Sequence, residues 1–152
     1  MDTSPDFSAY EAKSAAFAAL RAQILPDNKR TLFEVLALTG IDTVAVEFDG
    51  CGDSGQIESV TGFNAANEEN GLPPTPVEMR EAVFDDLTVT LVSRAPSEVI
   101  ETMAYDFLEQ THSGWEDGDG AFGQFIFAVA DHSITLEFNE RYTDTNYHQH
   151  EF

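Results

Sequence analysis

Only two lysines, Lys13 and Lys29, one cysteine and one tryptophan stand in 152 residues, and each scarcity removes an option. A single cysteine, Cys51, excludes an intrachain disulfide. No apolar run approaches the ~20 residues that span a bilayer. The opening Met1-Asp2-Thr3-Ser4-Pro5 has no basic stretch leading into an apolar one, so no secretory leader is expected and a cytoplasmic location is. Bases are scarcest after residue 30, where 24 acids face Arg80, Arg94 and Arg141 alone. The first 30 residues hold four acids and four bases, so the whole net charge of −21 lies beyond them. A folded module that acidic repels nucleic acid and anionic membrane and attracts basic surfaces or cations.

Apolar residues are plentiful. They make up 42% of the chain, with 12 Phe, enough to build one core and too aromatic for an acidic disordered chain. Ser8 to Leu25 places Tyr10, Phe17, Leu20 and Ile24 on one stripe among alanines, which predicts a first helix stopped by Pro26. Asp27 or Asn28 then caps a second helix to about Leu38, with Gly40 as its stop. These two helices, residues 1–40, read as a helical appendage to an acidic domain over 41–152, and as a possible arm for homo-oligomers.

Alternation marks the strands. Val44, Val46 and Phe48 alternate with Ala45, Glu47 and Asp49, and a partner strand runs from about Gln56 to Phe63. Phe125, Phe127 and Val129, then Ile134, Leu136 and Phe138, predict a second hairpin around Asp131-His132. Asn64 to Glu81, with Pro73, Pro74 and Pro76, reads as a polar connection, followed by a short strand with Leu87, Val89 and Leu91 facing in. From Ser97 to His112, Val99, Ile100, Met103, Ala104, Phe107 and Leu108 recur at helical spacing, with Glu98, Glu101, Asp106 and Glu109 opposite. The expected fold is α+β: an antiparallel sheet of four to five strands covered by one helix and preceded by two N-terminal helices. There is no internal repeat and no low-complexity tract.

No catalytic signature accompanies the charge. Asp49-Gly50-Cys51-Gly52-Asp53-Ser54-Gly55 lacks the following helix and the lysine of a phosphate cradle, so it reads as a hairpin turn. Asp53-Ser54-Gly55 alone does not make a serine nucleophile, which needs a placed histidine and an oxyanion hole. Asp117 and Asp119 alternate as at the start of a calcium loop, but Ala121 and Ala128 occupy the later ligand places. A hard divalent cation could still be held by Asp49, Asp53, Glu58, Glu116, Asp117 and Asp119 if their loops meet at one sheet end. His148 and His150 could share one strand face and clamp a transition metal; a loose tail is the plainer reading. Acidic neighbours disfavour a Cys51 thiolate.

The segments Gly52-Asp53-Ser54-Gly55-Gln56-Ile57-Glu58, Glu101 to His112, Gly114-Trp115-Glu116, Asn139-Glu140-Arg141-Tyr142 and His150-Glu151-Phe152 resemble a family of small acidic uncharacterised bacterial proteins, similar to plasmid and phage cargo. The resemblance spans residues 41–152. It implies no activity; its mobile-element setting implies counter-defence or regulation.

Three functional readings follow. In the first, the chain is a non-enzymatic binding or inhibitor protein whose anionic, nucleic-acid-mimicking surface meets a basic, nucleic-acid-binding protein. Glu98, Glu101, Asp106 and Glu109 begin that surface, and Glu137 and Glu140 extend it. In the second it is a carboxylate-based cation-binding domain or metal-dependent enzyme. In the third the acidity serves solubility, as in a salt-rich cell. A domain of this mass exposes on the order of 7,600 Å². Spread evenly, 21 net charges give about one per 360 Å², far sparser than duplex phosphates at one per ~1.7 Å of axis. Mimicry therefore requires the acids to gather on one face.

Overall fold

The computed structural model describes residues 5–152, with side-chain surroundings from Phe7 onward; Met1 to Ser4, in the segment read above for a leader, lie outside the described residues. The elements run α1 (Pro5–Leu38), β1 (Thr43–Gly52), β2 (Ser54–Phe63), β3 (Glu69–Asn70), β4 (Val77–Val83), β5 (Thr88–Arg94), α2 (Pro96–Thr111), β6 (Gly118–Ala128) and β7 (Ser133–Glu140). Five strands form an antiparallel sheet in the order β3-β2-β1-β6-β7, and β4-β5 form a separate two-stranded sheet. The α+β class and the two alternating hairpins agree with the sequence pattern.

Alternation decides which side of the sheet is dry. Val44, Val46 and Phe48 of β1 sit beside Phe127, Phe125 and Gly123 of β6, and these beside Ile134, Leu136 and Phe138 of β7. Both helices close on that inner face. Leu32, Phe33 and Leu36 of α1 and Val99, Ile100, Met103, Ala104 and Leu108 of α2 are buried with it in one cluster. Phe33 meets Phe127 at 6.3 Å between ring centroids, and Phe107 meets Phe125 at 6.2 Å. Pro96 opens α2, where its missing N–H costs nothing, and the Glu98 carboxylate accepts the Ala95 N–H at 3.3 Å.

Three expectations need correction. The chain has one opening helix of 34 residues, not two: Pro26 lies inside α1. A proline inside a helix costs about 3 kcal/mol in lost hydrogen bonding and crowding. Contacts on both sides of it offset that cost. Upstream, Arg21 pairs with Asp106 of α2 at 2.7 Å and Phe17 packs edge-on against Phe84 at 5.3 Å. Downstream lie the fully buried Leu32, Phe33 and Leu36.

Second, Asn28 is no helix cap. Its side chain is buried and forms a two-way bridge to the β4 backbone, accepting the Arg80 N–H at 2.8 Å and donating to the Arg80 carbonyl at 2.9 Å. The side-chain amide copies a strand neighbour, so the β4–β5 hairpin joins α1 rather than the main sheet. Third, part of the supposed polar connection is β4, whose Val77 and Met79 are buried. Val89 and Leu91 of β5 face solvent instead of the core, and Val92 packs against the core in their place. The five-stranded sheet is completed by the two-residue β3, not by the Leu87–Leu91 segment.

A boundary at residue 40 runs through the buried cluster, because Leu32, Phe33 and Leu36 lie before it. Removing residues 1–23 is expected to leave a cooperative thermal transition. Removing 1–39 strips three fully buried side chains, each worth roughly 2–5 kcal/mol, and should abolish it. Calorimetry of both truncations checks this; a cooperative transition in the shorter chain would mean the domain closes without α1.

Candidate functional site

Glycine and one indole shape the sheet end where the acidic loops lie. Gly50 and Gly55 face each other across β1 and β2, and only Gly52-Asp53 turn the chain between the Cys51–Ser54 pair. A Cβ on Gly50 would stand 2.7 Å from the Trp115 ring, and one on Gly55 would stand 2.5 Å from it. The outer edge of the buried indole therefore sits against a strip of bare backbone, and the ring meets Phe48 edge-on at 5.5 Å. Trp115 in turn anchors the α2–β6 loop, which carries Glu116 and Asp117 and leads to Asp119 at the start of β6.

Arg141 closes the same end. Its Nη1 donates to Asp49 Oδ1 at 3.0 Å, to the Gly50 carbonyl at 3.1 Å and to the Ala121 carbonyl at 3.4 Å. Its guanidinium lies 4.7 Å from the centre of the Phe122 ring. The sequence marked this residue by its rarity, as the only base after Arg94, and by its place in the Asn139-Glu140-Arg141-Tyr142 segment, but gave it no role.

The six carboxylates proposed for a cation are spread over this end. Asp49 is engaged by Arg141. Asp53 is exposed in the hairpin turn, and Glu58, at the β-bulge opposite Glu47 and Phe48, accepts from Gln56 at 3.3 Å. Glu116 backs onto Gly50 and Gly55. Asp117 sits in a turn closed by its own N–H to the Gly114 carbonyl, and Asp119 accepts from Thr143 Oγ1 at 2.6 Å. Among the described residues no three His, Cys, Asp or Glu side chains come close enough together to hold a metal ion.

The six partner-binding candidates fall on different surfaces. Glu98 and Glu109 are exposed on α2, Glu101 is half-buried, and Asp106 is held by Arg21. Glu140 lies past the end of α2, lining a cleft of about 290 Å³ with His112, Asp117, Asp119, Phe138 and Tyr142. His112 stacks on Phe138 there at 3.7 Å. Glu137 points to the opposite face of the sheet, where it accepts from Gln124 Nε2 at 2.6 Å. It lines a shallow hollow of about 360 Å³ with Glu47, Asp49, Glu58, Phe122 and Asn139. A mostly apolar groove of about 540 Å³, lined by Leu25, Met79, Val99, Met103 and Phe107 among others, separates α1 and β4 from α2.

Charge pairing completes the picture. All five arginines are in ion pairs with acids of this chain: Arg21 with Asp106, Arg30 and Arg80 with Asp27, Arg94 with Glu81, and Arg141 with Asp49. The last turn of α2 carries no base to balance the negative end of the helix dipole.

If the Gly55 contact with Trp115 shapes this end, Gly55→Ala should cost about 1–3 kcal/mol, the usual range for overpacking. In a Trp115→Leu background the same change should cost far less. Equal losses of thermal stability in both backgrounds would show that the indole does not set the requirement for glycine.

Residues 24–152 match the model of a family described as a family of unknown function, DUF6878, and the chain belongs to that family. The match takes in the buried third of α1, which the resemblance from residue 41 left out. No curated protein and no solved structure matches the chain. Among the described residues no helix is long and apolar enough to cross a membrane.

Proposed function

We propose that this protein is an acidic binding protein that offers an anionic surface to a basic, nucleic-acid-binding protein and competes with nucleic acid for it. The observation that carries the reading is the fate of the cations. With 28 acids and seven bases, every arginine, though at the surface, is paired with an acid of the same chain. That pairing leaves the excess of acids beyond α1 without a free arginine to offset it.

Density alone does not make a mimic. The surface of 9771 Å², divided among 21 net charges, gives about 465 Å² for each, against one duplex phosphate per ~1.7 Å of axis. Local grouping therefore matters. Glu98, Glu101 and Glu109 on α2 form one group, and Glu47, Glu58 and Glu137 on the far side of the sheet form another. The separation of carboxylates at the loop end favours this reading over a dedicated cation site, which gathers six to eight oxygens at 2.3–2.6 Å from one point. The resemblance of its motifs to mobile-element cargo suits a target such as a host defence enzyme or regulator. The chemistry that recognises that target is a cluster of arginines and lysines.

Competition tests the reading. An arginine-rich ten-residue peptide is bound to a fluorescein-labelled DNA duplex, and the protein is titrated in. At about 50 mM salt the protein should displace the duplex, and at about 500 mM the interaction should vanish, because screening shortens the reach of exposed charges to a few ångströms. Failure to displace at low salt, or equal affinity across the salt series, would leave solubility as the better account of the acidity.

A further inference from the structure

The uncovered face of the five-stranded sheet is the surface with the most to say. Both helices pack on the inner face, so among the described residues no helix covers the outward residues of β2, β1, β6 and β7. Cross-strand pairing sets Ser59, Glu47, Gln124 and Glu137 in one row. Within that row Ser59 Oγ donates to Glu47 Oε2 at 3.3 Å, and Gln124 donates to Glu137. One step toward the loop end lie Asp49, Phe122 and Asn139, with Phe122 43% exposed. One step the other way, Ala45 pairs with Ile126, an apolar strip outside the core cluster.

This face already holds a guanidinium. Arg141 lies across the Phe122 ring at 4.7 Å and salt-bridges Asp49 at 3.0 Å. An aromatic face and a carboxylate together are the chemistry that recognises arginine. The neighbouring hollow of about 360 Å³ repeats those ingredients, lined by Glu47, Glu58 and Glu137 together with Phe122. No base lines the hollow among the described residues, and the charge of Arg141 beside it is engaged by Asp49.

We propose that this open sheet face is the docking surface for an arginine-rich polypeptide segment, its guanidinium groups on Glu47, Glu58, Glu137 and the Phe122 ring and its apolar side chains on Ile126. The inference rests on the acidic-binding reading and adds the face and the chemistry of the segment. It also sets α2 aside as the main contact. On α2, Asp106 is neutralised by Arg21, whereas Glu47, Glu58 and Glu137 accept only from the uncharged Ser59, Gln56 and Gln124.

The test compares two charge reversals that change net charge equally. The probe is a fluorescein-labelled ten-arginine peptide, followed by anisotropy with the full chain at about 50 mM salt. Variant Glu47→Lys/Glu58→Lys/Glu137→Lys should weaken binding at least about tenfold more than Glu98→Lys/Glu101→Lys/Glu109→Lys, since near contacts outweigh overall charge at this screening length. Phe122→Ala should weaken binding about threefold and leave the salt slope unchanged, since it removes a stacking surface and no charge. Unfolding midpoints of all three variants confirm that the fold persists. Equal losses in the two triples, or a larger loss in the α2 triple, would overturn the sheet face while leaving the acidic-binding reading standing. No loss in either triple would overturn both. Sedimentation showing that the sheet-face triple turns a dimer into a monomer, with peptide affinity unaltered, would assign the face to a second copy and overturn the proposal.

Discussion

Repulsion among 28 acids is the constraint within which every element of this fold packs. High net charge weakens the compact state, and the few cations stand where they counter it best, at the joints. Arg21 ties α1 to α2, Arg80 ties β4 to α1, Arg94 ties β5 to β4, and Arg141 ties the end of β7 to β1. Exposed pairs of this kind contribute at most about 1 kcal/mol each. Their larger effect is placement, since each removes a like-charge clash where two acidic elements meet. Burial supplies the main stabilisation, through the β1 side chains Val44, Val46 and Phe48 between two strands and two helices.

The same economy shapes the two sides of the sheet. The inner side chains are aromatic or branched and interlock: Phe48 touches Trp115, Phe125 and Phe138 at ring separations of 5.5, 5.7 and 6.0 Å. Gly123 is bare because a Cβ there would meet the Glu137 carbonyl and the Phe48 ring. The outer side keeps the polar alternation that an antiparallel sheet shows toward water. Its acids are fixed on rigid strands rather than on loops, which spares a partner the entropy of ordering them.

Much of this was legible in residue periodicity. Both hairpins of the main sheet and the apolar stripe of α2 follow from alternation at 2 and at 3.6. Parity was legible too: Leu136 and Phe138 turn inward, so Glu137 must turn outward, away from the helix whose acids it was expected to join. The course of α1 was not legible, because local rules end a helix at Pro26, and contacts with Asp106, Phe84 and the core accompany its continuation through that residue. Nor was β4, a short alternation of Val77 and Met79 behind three prolines, whose place depends on a side-chain bridge from Asn28, 52 residues from Arg80. At the loop end the acids were legible but the place of Arg141 beside Asp49 was not, because that contact joins positions 92 residues apart, so the carboxylates were expected without the guanidinium that engages one of them.

The central claim is that acids held on the open sheet face receive arginine side chains. Amide chemical-shift mapping of the isotope-labelled chain, titrated with the ten-arginine peptide, tests it most directly. The account predicts the largest shifts at Glu47, Glu58, Phe122, Gln124 and Glu137, on strands β1, β2, β6 and β7, with the exposed turns of α2 nearly unmoved. Shifts spread evenly over all acidic segments, or concentrated on α2, would contradict it.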